Sequence, residues 1–177
     1  MEFLSAIFGR KLGTDLPGYR RDHKDPDRKL VHGVLMLYTG TGGDPFHSMG
    51  RAAYENHLRT NWGPPTAERL VRLMDRFEVG ECTLAFDLAR VIKLARHGAG
   101  AGWLGVDASW ERCIRCASRL KAHYPSWRAL YEDKQAGRVQ WHRDVVHTPL
   151  PQSDVDYYAS LYEEGVQLLY ARMPLNG

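Results

Sequence analysis

Apolar residues recur at helical spacing along almost the whole chain, and this feature constrains the fold more than any other. After Pro26, for example, they fall at positions i, i+1, i+4, i+5 and i+8, which are Leu30, Val31, Val34, Leu35 and Tyr38. Such spacing gives an amphipathic helix its apolar stripe. No segment shows the period-two alternation of a half-buried strand. The chain is therefore predicted to be all-α, a helical bundle of about six to seven helices with few or no strands.

Capping residues, glycines and prolines bound the predicted helices. Asp25 has the side chain of an N-cap, and Pro26 follows at the first helical position. Ser126 is predicted to cap a later helix in the same way. The predicted helices cover about 25–39, 50–61, 66–77, 83–98, 107–123, 126–141 and 154–172. We expect residues 1–24 to form a loose N-terminal arm and residues 25–177 to form a single helical domain.

Composition narrows the class of protein. A chain of 177 residues with 44% hydrophobic residues can bury a self-supporting core. It has no apolar run of membrane-spanning length, and Glu2 stands where a signal peptide would carry positive charge. Three cysteines do not form a disulfide framework, which favours a reducing cytoplasm. The net charge of +3 comes from interspersed residues, so membrane and nucleic-acid partners are not expected.

The helix predicted over 83–98 carries polar residues on both of its sides. A helical wheel places Asp87 in the apolar arc, and the opposite arc contains Arg90, Lys93, Arg96 and His97. This pattern predicts a central helix that other helices contact all round. A buried carboxylate needs a cation or several donors, and we expect Arg90 at i+3 and a tryptophan indole N–H to serve Asp87.

Two interpretations of this polar cluster remain open. Asp87 and Arg90 can form a buried structural bridge, which is the favoured interpretation because structural ion pairs are common. Alternatively, Asp87 acts as a general acid or base, or Arg90 and Arg96 clamp an anion beside His97 in a cleft. No residues form a catalytic set at motif strength, and we predict no metal and no cofactor.

Other motifs are weaker. The segment 35–45 ends in a glycine-rich loop, but it lacks the Lys-Ser/Thr of a phosphate-binding loop. Cys113 and Cys116 have Cys-x-x-Cys spacing, yet they lie in the middle of a predicted helix where no thiolate is stabilised. Eight histidines are scattered without metal-ligand spacing.

Several spaced elements together resemble the bacterial family catalogued as domain of unknown function 1266. They are Phe86 to Arg90, Leu94 to Gly98, Gly102 to Leu104, Trp110, Ser126 and Trp127, Gly137 and Trp141. The chain departs from the family pattern at Phe86, where tryptophan is usual, and at Trp103, where tyrosine is usual. The resemblance implies a bacterial, mostly helical, cytoplasmic domain of unknown activity. It also implies a link to accessory genes, which suggests an antitoxin or immunity partner.

Physical chemistry explains much of this pattern without catalysis. Tryptophans at helical spacing, such as Trp110 and Trp127, are more often core residues than ligand platforms. Gly98 and Gly102 are predicted to permit positive φ where a helix ends. Gly137 inside a helix predicts the close approach of a neighbouring helix.

Three function classes follow. The favoured one is a non-enzymatic helical protein that binds a protein partner, as an accessory or immunity factor, with homodimerisation also open. Its support is the lack of a catalytic set and the expected exposure of Tyr157 and Trp141. The alternative is an enzyme or small-anion-binding protein that uses Asp87, Arg90, Arg96 and His97 in a cleft. The third, a nucleic-acid binder, requires basic residues to gather on one face.

Overall fold

The computed structural model describes residues 21–22, 24–39, 50–63, 66–163 and 175. Within these ranges the chain forms seven α-helices and no strand, so the predicted all-α bundle is confirmed. The helices are α1 (Pro26–Thr39), α2 (Arg51–Trp62), α3 (Ala67–Val79), α4 (Leu84–Gly100), α5 (Val106–His123), α6 (Trp127–Trp141) and α7 (Gln152–Leu161). A π-helical turn, His142–Val146, follows α6 directly.

Helix α4 lies at the centre of the bundle. It packs against α1, α2, α3, α5 and α6, and nearly all of its side chains are buried. The predicted central helix is therefore confirmed. Leu35 of α1, Leu58 of α2, Met74 of α3 and Leu120 of α5 meet α4 in one hydrophobic cluster. Each such side chain stabilises the fold by about 1.5–3 kcal/mol through burial.

Three of the helix starts carry the side-chain caps that the sequence indicates. Asp25, Thr66 and Ser126 each accept a hydrogen bond from a backbone N–H two or three residues further on, at 2.9–3.2 Å. These bonds satisfy N–H groups that have no partner inside the helix. The sequence alone therefore determines where α1, α3 and α6 begin.

The starts of α4 and α5 are built differently. Asp133 of α6 caps α4 from a neighbouring helix, because its Oδ2 accepts the backbone N–H of Ala85 at 3.0 Å. The hydroxyl of Thr83 donates to the Asp133 carbonyl at 2.7 Å instead of capping its own helix. The helix predicted to begin at Asp107 starts one residue earlier, at Val106, with Gly105 in the N-cap position and Asp107 in the first turn.

Glycines have different roles in the contact between α4 and α6 and at the C-terminal end of α4. A Cβ atom on Gly137 would lie 2.5 Å from the Cβ of Phe86, so α6 approaches α4 as closely as predicted. Gly102 adopts φ +71° in the turn after α4, also as predicted. Gly98 does not have positive φ, because α4 continues to Gly100. Its hydrogen instead allows Leu70 and Leu104 to pack against the helix backbone.

Two expectations concern the ends of the chain, and each falls partly outside the described residues. Asp22, in the stretch expected to be a loose arm, is fully buried and pairs with Arg28 and His32 at 3.0 and 3.4 Å. Residues 1–20 lie outside the described residues, as does most of the loop considered for phosphate binding. The last helix was expected over 154–172, and α7 is Gln152–Leu161. Residues 164–174 also lie outside the described part.

No helix in the described ranges is long and apolar enough to cross a membrane.

Candidate anion-binding cavity

Asp87 and Arg90 form a buried ion pair near the start of α4. Their side chains are 1% and 3% exposed, and Arg90 Nη2 donates to Asp87 Oδ1. Asp87 Oδ2 also accepts the backbone N–H groups of Glu81 and Cys82, at 2.6 and 2.8 Å. We expected a tryptophan indole N–H to donate to Asp87, and these two backbone N–H groups donate instead. Asp87 thus joins the loop before α4 to the helix.

Arg96 lies on another side of α4. It is fully buried, and its guanidinium carbon stands 3.8 Å from the ring centroid of Trp110. Its Nη1 donates to Ser109 Oγ at 3.2 Å, and that hydroxyl donates to the Ala95 carbonyl at 2.9 Å. Arg96 therefore ties α4 to α5 through a polar network enclosed by the core.

His97 packs towards α2. Its ring centroid lies 4.6 Å from that of His57 and 5.4 Å from that of Tyr54. Burial, with the nearby charges of His57 and Lys93, lowers the pKa of His97 to about 3. His97 is therefore neutral at physiological pH.

The four candidate residues do not converge on one cleft. Asp87 and Arg90 are together, but Arg96 and His97 point to different neighbouring helices. Of the four, only Arg90 lines the larger cavity found in the described structure. The cavity beside α4 is therefore lined mostly by residues other than those predicted from the helical wheel.

This main cavity has a volume of about 720 Å³ and opens beside α4. Its size lies within the range of small-molecule sites, roughly 300–1,000 Å³. Its lining comes from α2, α3, α4, α6, the π-helical turn and α7. The aromatic side chains in the lining are Trp62, Phe77, Phe86, Trp141 and Tyr158, and the cationic ones are Arg76, Arg90, Lys93 and Arg138.

Arg90 reaches the cavity from between two aromatic rings. Its guanidinium carbon lies 3.7 Å from the ring centroid of Phe77 and 4.4 Å from that of Phe86. Aromatic rings attract a cation placed over their faces, and this attraction grows when water is excluded. The rings and Asp87 together hold the guanidinium in a fixed position.

A second cationic group adjoins the cavity between α4, α6 and α7. Arg138 lies 3.8 Å from the ring centroid of Tyr158, and Lys134 Nζ lies 4.2 Å from the same centroid. Burial, with the charge of Arg138, lowers the pKa of Lys93 to about 8. Burial and the charges of Arg138 and Lys93 lower the pKa of Lys134 to about 7. Burial is the larger cause of both pKa shifts, and neighbouring positive charges add to it.

Several nitrogen atoms of the lining are buried and have no hydrogen-bond partner among the described residues. They are Arg90 Nε, His57 Nε2 and Trp62 Nε1. The tautomer of His57 follows from Asn61, whose Nδ2 donates to the His57 carbonyl at 3.0 Å and lies 3.2 Å from His57 Nδ1. Because an amide nitrogen only donates, Nδ1 accepts and Nε2 carries the proton. All three nitrogens are thus donors.

The acidic residues of the lining have cationic neighbours. Glu81 pairs with Arg76, and its Oε2 lies 4.0 Å from Arg90 Nη2. Asp144 pairs with the exposed Arg143 at 2.6 Å. Paired carboxylates, together with the cationic side chains of the lining, make the cavity suitable for a ligand that carries negative charge.

Two other features are less suited to a ligand. A smaller cavity of about 570 Å³ lies beside α3, where its charged side chains Arg69, Arg72 and Asp75 are exposed. Trp62 stands between the two cavities. Burial raises the pKa of Cys116 to about 12, so this thiol is poorly suited to redox or metal chemistry. The described residues contain no cluster of three or more potential metal ligands.

Sequence reasoning did not find most of this site. His57 and Trp62 of α2, Arg138 and Trp141 of α6, and Tyr158 of α7 are brought together only by packing. Lys93, three residues after Arg90 in the same predicted helix, is the lining residue that the local sequence places near Arg90. Trp141 was expected to be exposed, but it is half-buried, with its ring centroid 6.4 Å from that of Phe86.

The residues that carry the family resemblance mostly support the packing of the helices around the main cavity. Phe86 covers Arg90, Trp110 and Trp127 are buried in the core, and Gly137 allows α6 to reach α4. Trp103 is half-buried against the core. Of all the residues that carry the family resemblance, Phe86, Arg90 and Trp141 line the cavity.

The fold and the site define an all-α bundle with a cation-lined cavity beside its central helix. The model of the family described as protein of unknown function (DUF1266) matches residues 21–171, and the chain belongs to this family. No curated protein matches the chain, and no solved structure does.

Proposed function

We propose that this protein binds a small organic anion in the main cavity. The observation that carries the proposal is the lining of this cavity, in which the cationic side chains of Arg76, Arg90, Lys93 and Arg138 stand beside five aromatic side chains. Hydrogen bonds from charged donors to an anion are roughly twice as strong as those between neutral groups.

Electrostatics support the same ligand. Burial, with the charge of Arg138, lowers the pKa of Lys93, and an anion placed beside Lys93 would favour its charged form. The carboxylates of the wall, Glu81 and Asp144, are engaged in ion pairs, which makes them poorly suited to act as general bases. We therefore propose binding without turnover.

Lys93→Gln tests this function. Isothermal titration calorimetry with a panel of organic anions is expected to show binding to the unaltered protein. The variant should bind the same anions about tenfold or more weakly. Lys121→Gln, an exposed lysine near the end of α5, is the matched control and should bind like the unaltered protein.

The pH dependence of the same titration gives an independent check. Lys93 is protonated below its pKa of about 8, so affinity should be greatest below pH 8 and fall as the pH rises through it. A protein that binds neutral analogues as tightly as the anions, at every pH, would contradict the proposal.

A protein partner is the second candidate. Val139, Val145, Val146 and Tyr157 are between 37% and 57% exposed and come from the end of α6, the π-helical turn and α7. Exposed apolar side chains in one part of the chain favour an interaction surface. Such a surface would suit an accessory or immunity factor, or a homodimer.

We also propose a cytoplasmic location. Its support is that Cys82, Cys113 and Cys116 are all free thiols, two of them buried.

A further inference from the structure

We propose that the π-helical turn and α7 form a movable wall of the main cavity, and that Arg138 holds this wall in place. The proposed function supplies only the choice of the main cavity as the ligand site, to which we add a conformational device. The burial of this segment, the backbone that joins it to α6 and the side chains that attach it all favour movement.

The segment from the π-helical turn to α7 is attached to the bundle without a buried residue. No residue from His142 to Ser160 is buried, whereas each of the other six helices of the described chain has two or more buried residues. The main backbone contact of α7, with α1, is smaller than any that α4 makes with its five neighbours. Segments with few buried side chains open locally at a lower free energy than the core. We therefore expect this segment to open while the rest of the bundle stays folded.

The same segment forms part of the cavity lining. Asp144 and Val145 of the π-helical turn and Tyr158 of α7 line the main cavity. The remaining lining residues belong to α2, α3, α4, α6 and the loop before α4. Because those helices have buried residues, the π-helical turn and α7 are the part of the lining that can move without disturbing the core.

The backbone between α6 and α7 has the features of a hinge. The π-helical turn follows α6 directly, and His147 after it is the one non-glycine residue of the described chain with positive φ, at +57°. Left-handed backbone is unfavourable for a residue with a side chain, and such strain, like π-helical geometry, is frequent in functional segments. Pro149 and Pro151 then fix their own φ angles. Bending is therefore expected at His147 and not in the stretch that leads to α7.

Arg138 of α6 attaches α7 at two points. Its Nη2 lies 3.3 Å from Asp154 Oδ2, and its guanidinium carbon lies 3.8 Å from the ring centroid of Tyr158. The Asp154 side chain is 44% exposed, and ion pairs of exposed carboxylates contribute little, so this attachment is weak enough to open. Beyond α7, the buried ring of Tyr162 stacks on Tyr131 with 4.6 Å between centroids, so the far end stays anchored.

The position of Arg138 couples the wall to the cavity. Arg138 lines the cavity and also holds α7, so an anion that reaches it competes with Asp154 for the same guanidinium. Movement of the wall also displaces Val145 and Tyr157, which are among the exposed apolar residues considered for a protein partner.

Variants of Tyr158 test the movement. Tyr158→Leu removes the ring that Arg138 faces, and Tyr158→Phe keeps it. Amide hydrogen exchange of the full chain, read by mass spectrometry of peptides, should be at least about fivefold faster over the π-helical turn in Tyr158→Leu, and within about twofold of the unaltered protein in Tyr158→Phe. Peptides from α4 and α5 should exchange at the same rate in both variants, because the bundle stays folded.

A second pair of variants tests the other attachment. Asp154→Asn removes the carboxylate that Arg138 contacts, and it should speed exchange over the π-helical turn in the same way. Asp156→Asn is the matched control on the same helix, since Asp156 accepts from Gln152 at 2.8 Å and does not contact Arg138 in the structure. It should leave the exchange of the π-helical turn unchanged.

Cys82 reports whether the movement opens the cavity. Its thiol lines the cavity and is half-buried, whereas Cys113 and Cys116 are buried. At one fixed pH, the neutral reagent iodoacetamide should alkylate Cys82 at least about threefold faster in Tyr158→Leu than in Tyr158→Phe or the unaltered protein.

The outcomes separate the movable wall from the function of the cavity. Faster exchange confined to the peptide around the substituted residue, or unchanged alkylation of Cys82, would overturn the movable wall and leave anion binding intact. Faster exchange in α4 as well would place Tyr158 in the core and would also overturn it. Calorimetry that shows no anion binding would overturn the proposed function and leave the movable wall standing.

Discussion

At the scale of single residues, Arg90 shows how a chain can bury a guanidinium. Moving a charge out of water is costly, and Arg90 offsets this with the Asp87 carboxylate and with two aromatic rings that cover its faces. Asp87 in turn accepts two backbone N–H groups from the preceding loop. Each partner is therefore needed for the other to stay buried.

Asp87→Asn and Arg90→Gln should both lower stability strongly. Removing one partner of a buried pair leaves the other charge without compensation, at about 3–5 kcal/mol, so the melting temperature should fall by roughly 10 °C or more. Differential scanning calorimetry provides the measurement.

The matched control is an exposed pair on another helix. Glu68 and Arg72 of α3 are 75% and 61% exposed, and Glu68→Gln should change stability by less than about 1 kcal/mol. Normal melting of both buried-pair variants would show that Asp87 and Arg90 do not hold the core.

At the scale of helices, the contact between α4 and α6 organises the bundle and one end of the cavity. Asp133 of α6 caps α4, and Gly137 allows the two backbones to approach. One turn beyond, Arg138 and Trp141 of α6 line the cavity. The packing of these two helices thus places Arg138 and Trp141 at the cavity.

Gly137→Ala should destabilise the protein although alanine is the better helix former. The new methyl group would lie 2.5 Å from Phe86 Cβ, and separating the helices costs about 1–3 kcal/mol, more than the roughly 1 kcal/mol gained in helix propensity. Urea unfolding measures the difference.

Gly105→Ala serves as the comparison, since its Cβ would meet only Ala108, at 4.0 Å. It should change the free energy of unfolding by less than about 1 kcal/mol. If Gly137→Ala were as stable as the unaltered protein, close packing would not explain this glycine.

At the scale of the whole molecule, six neighbouring elements line one cavity, and three of them also carry exposed apolar side chains. The cavity favours a small anion, and Val139, Val146 and Tyr157 favour a protein partner. Several basic residues of the described chain pair with acids across helices, as Arg112 does with Glu78 at 2.5 Å.

The double variant Val139→Lys with Val146→Lys tests the protein-partner candidate. If this region binds a partner or a second copy, the variant should lose the association that the unaltered protein shows in light scattering and in affinity capture.

Val79→Lys is the control, because Val79 is 89% exposed at the end of α3, far along the chain from this region. A monomeric protein whose capture profile is the same for both variants would contradict a partner at this surface.

Local features of the fold can be predicted from the sequence alone. Helical spacing and the caps at Asp25, Thr66 and Ser126 depend on neighbours within a few residues, so they are readable from the chain. The i+3 spacing of Asp87 and Arg90 belongs to the same class, because one turn of helix already brings the two side chains together. The central position of α4 results from packing against five other helices, and the sequence indicates it only through polar residues on both sides of that helix.

The contacts of the other polar side chains depend on the tertiary structure and cannot be predicted from local sequence. A helical wheel gives the direction of a side chain but not the helix it meets, so it grouped Arg96 and His97 with Arg90, although each packs against a different neighbour. His57, Arg138 and Tyr158 are far apart in sequence, and the packing of α2, α6 and α7 alone brings them to one cavity. Helix formation is governed by short-range geometry, while the site depends on long-range packing that no local pattern records.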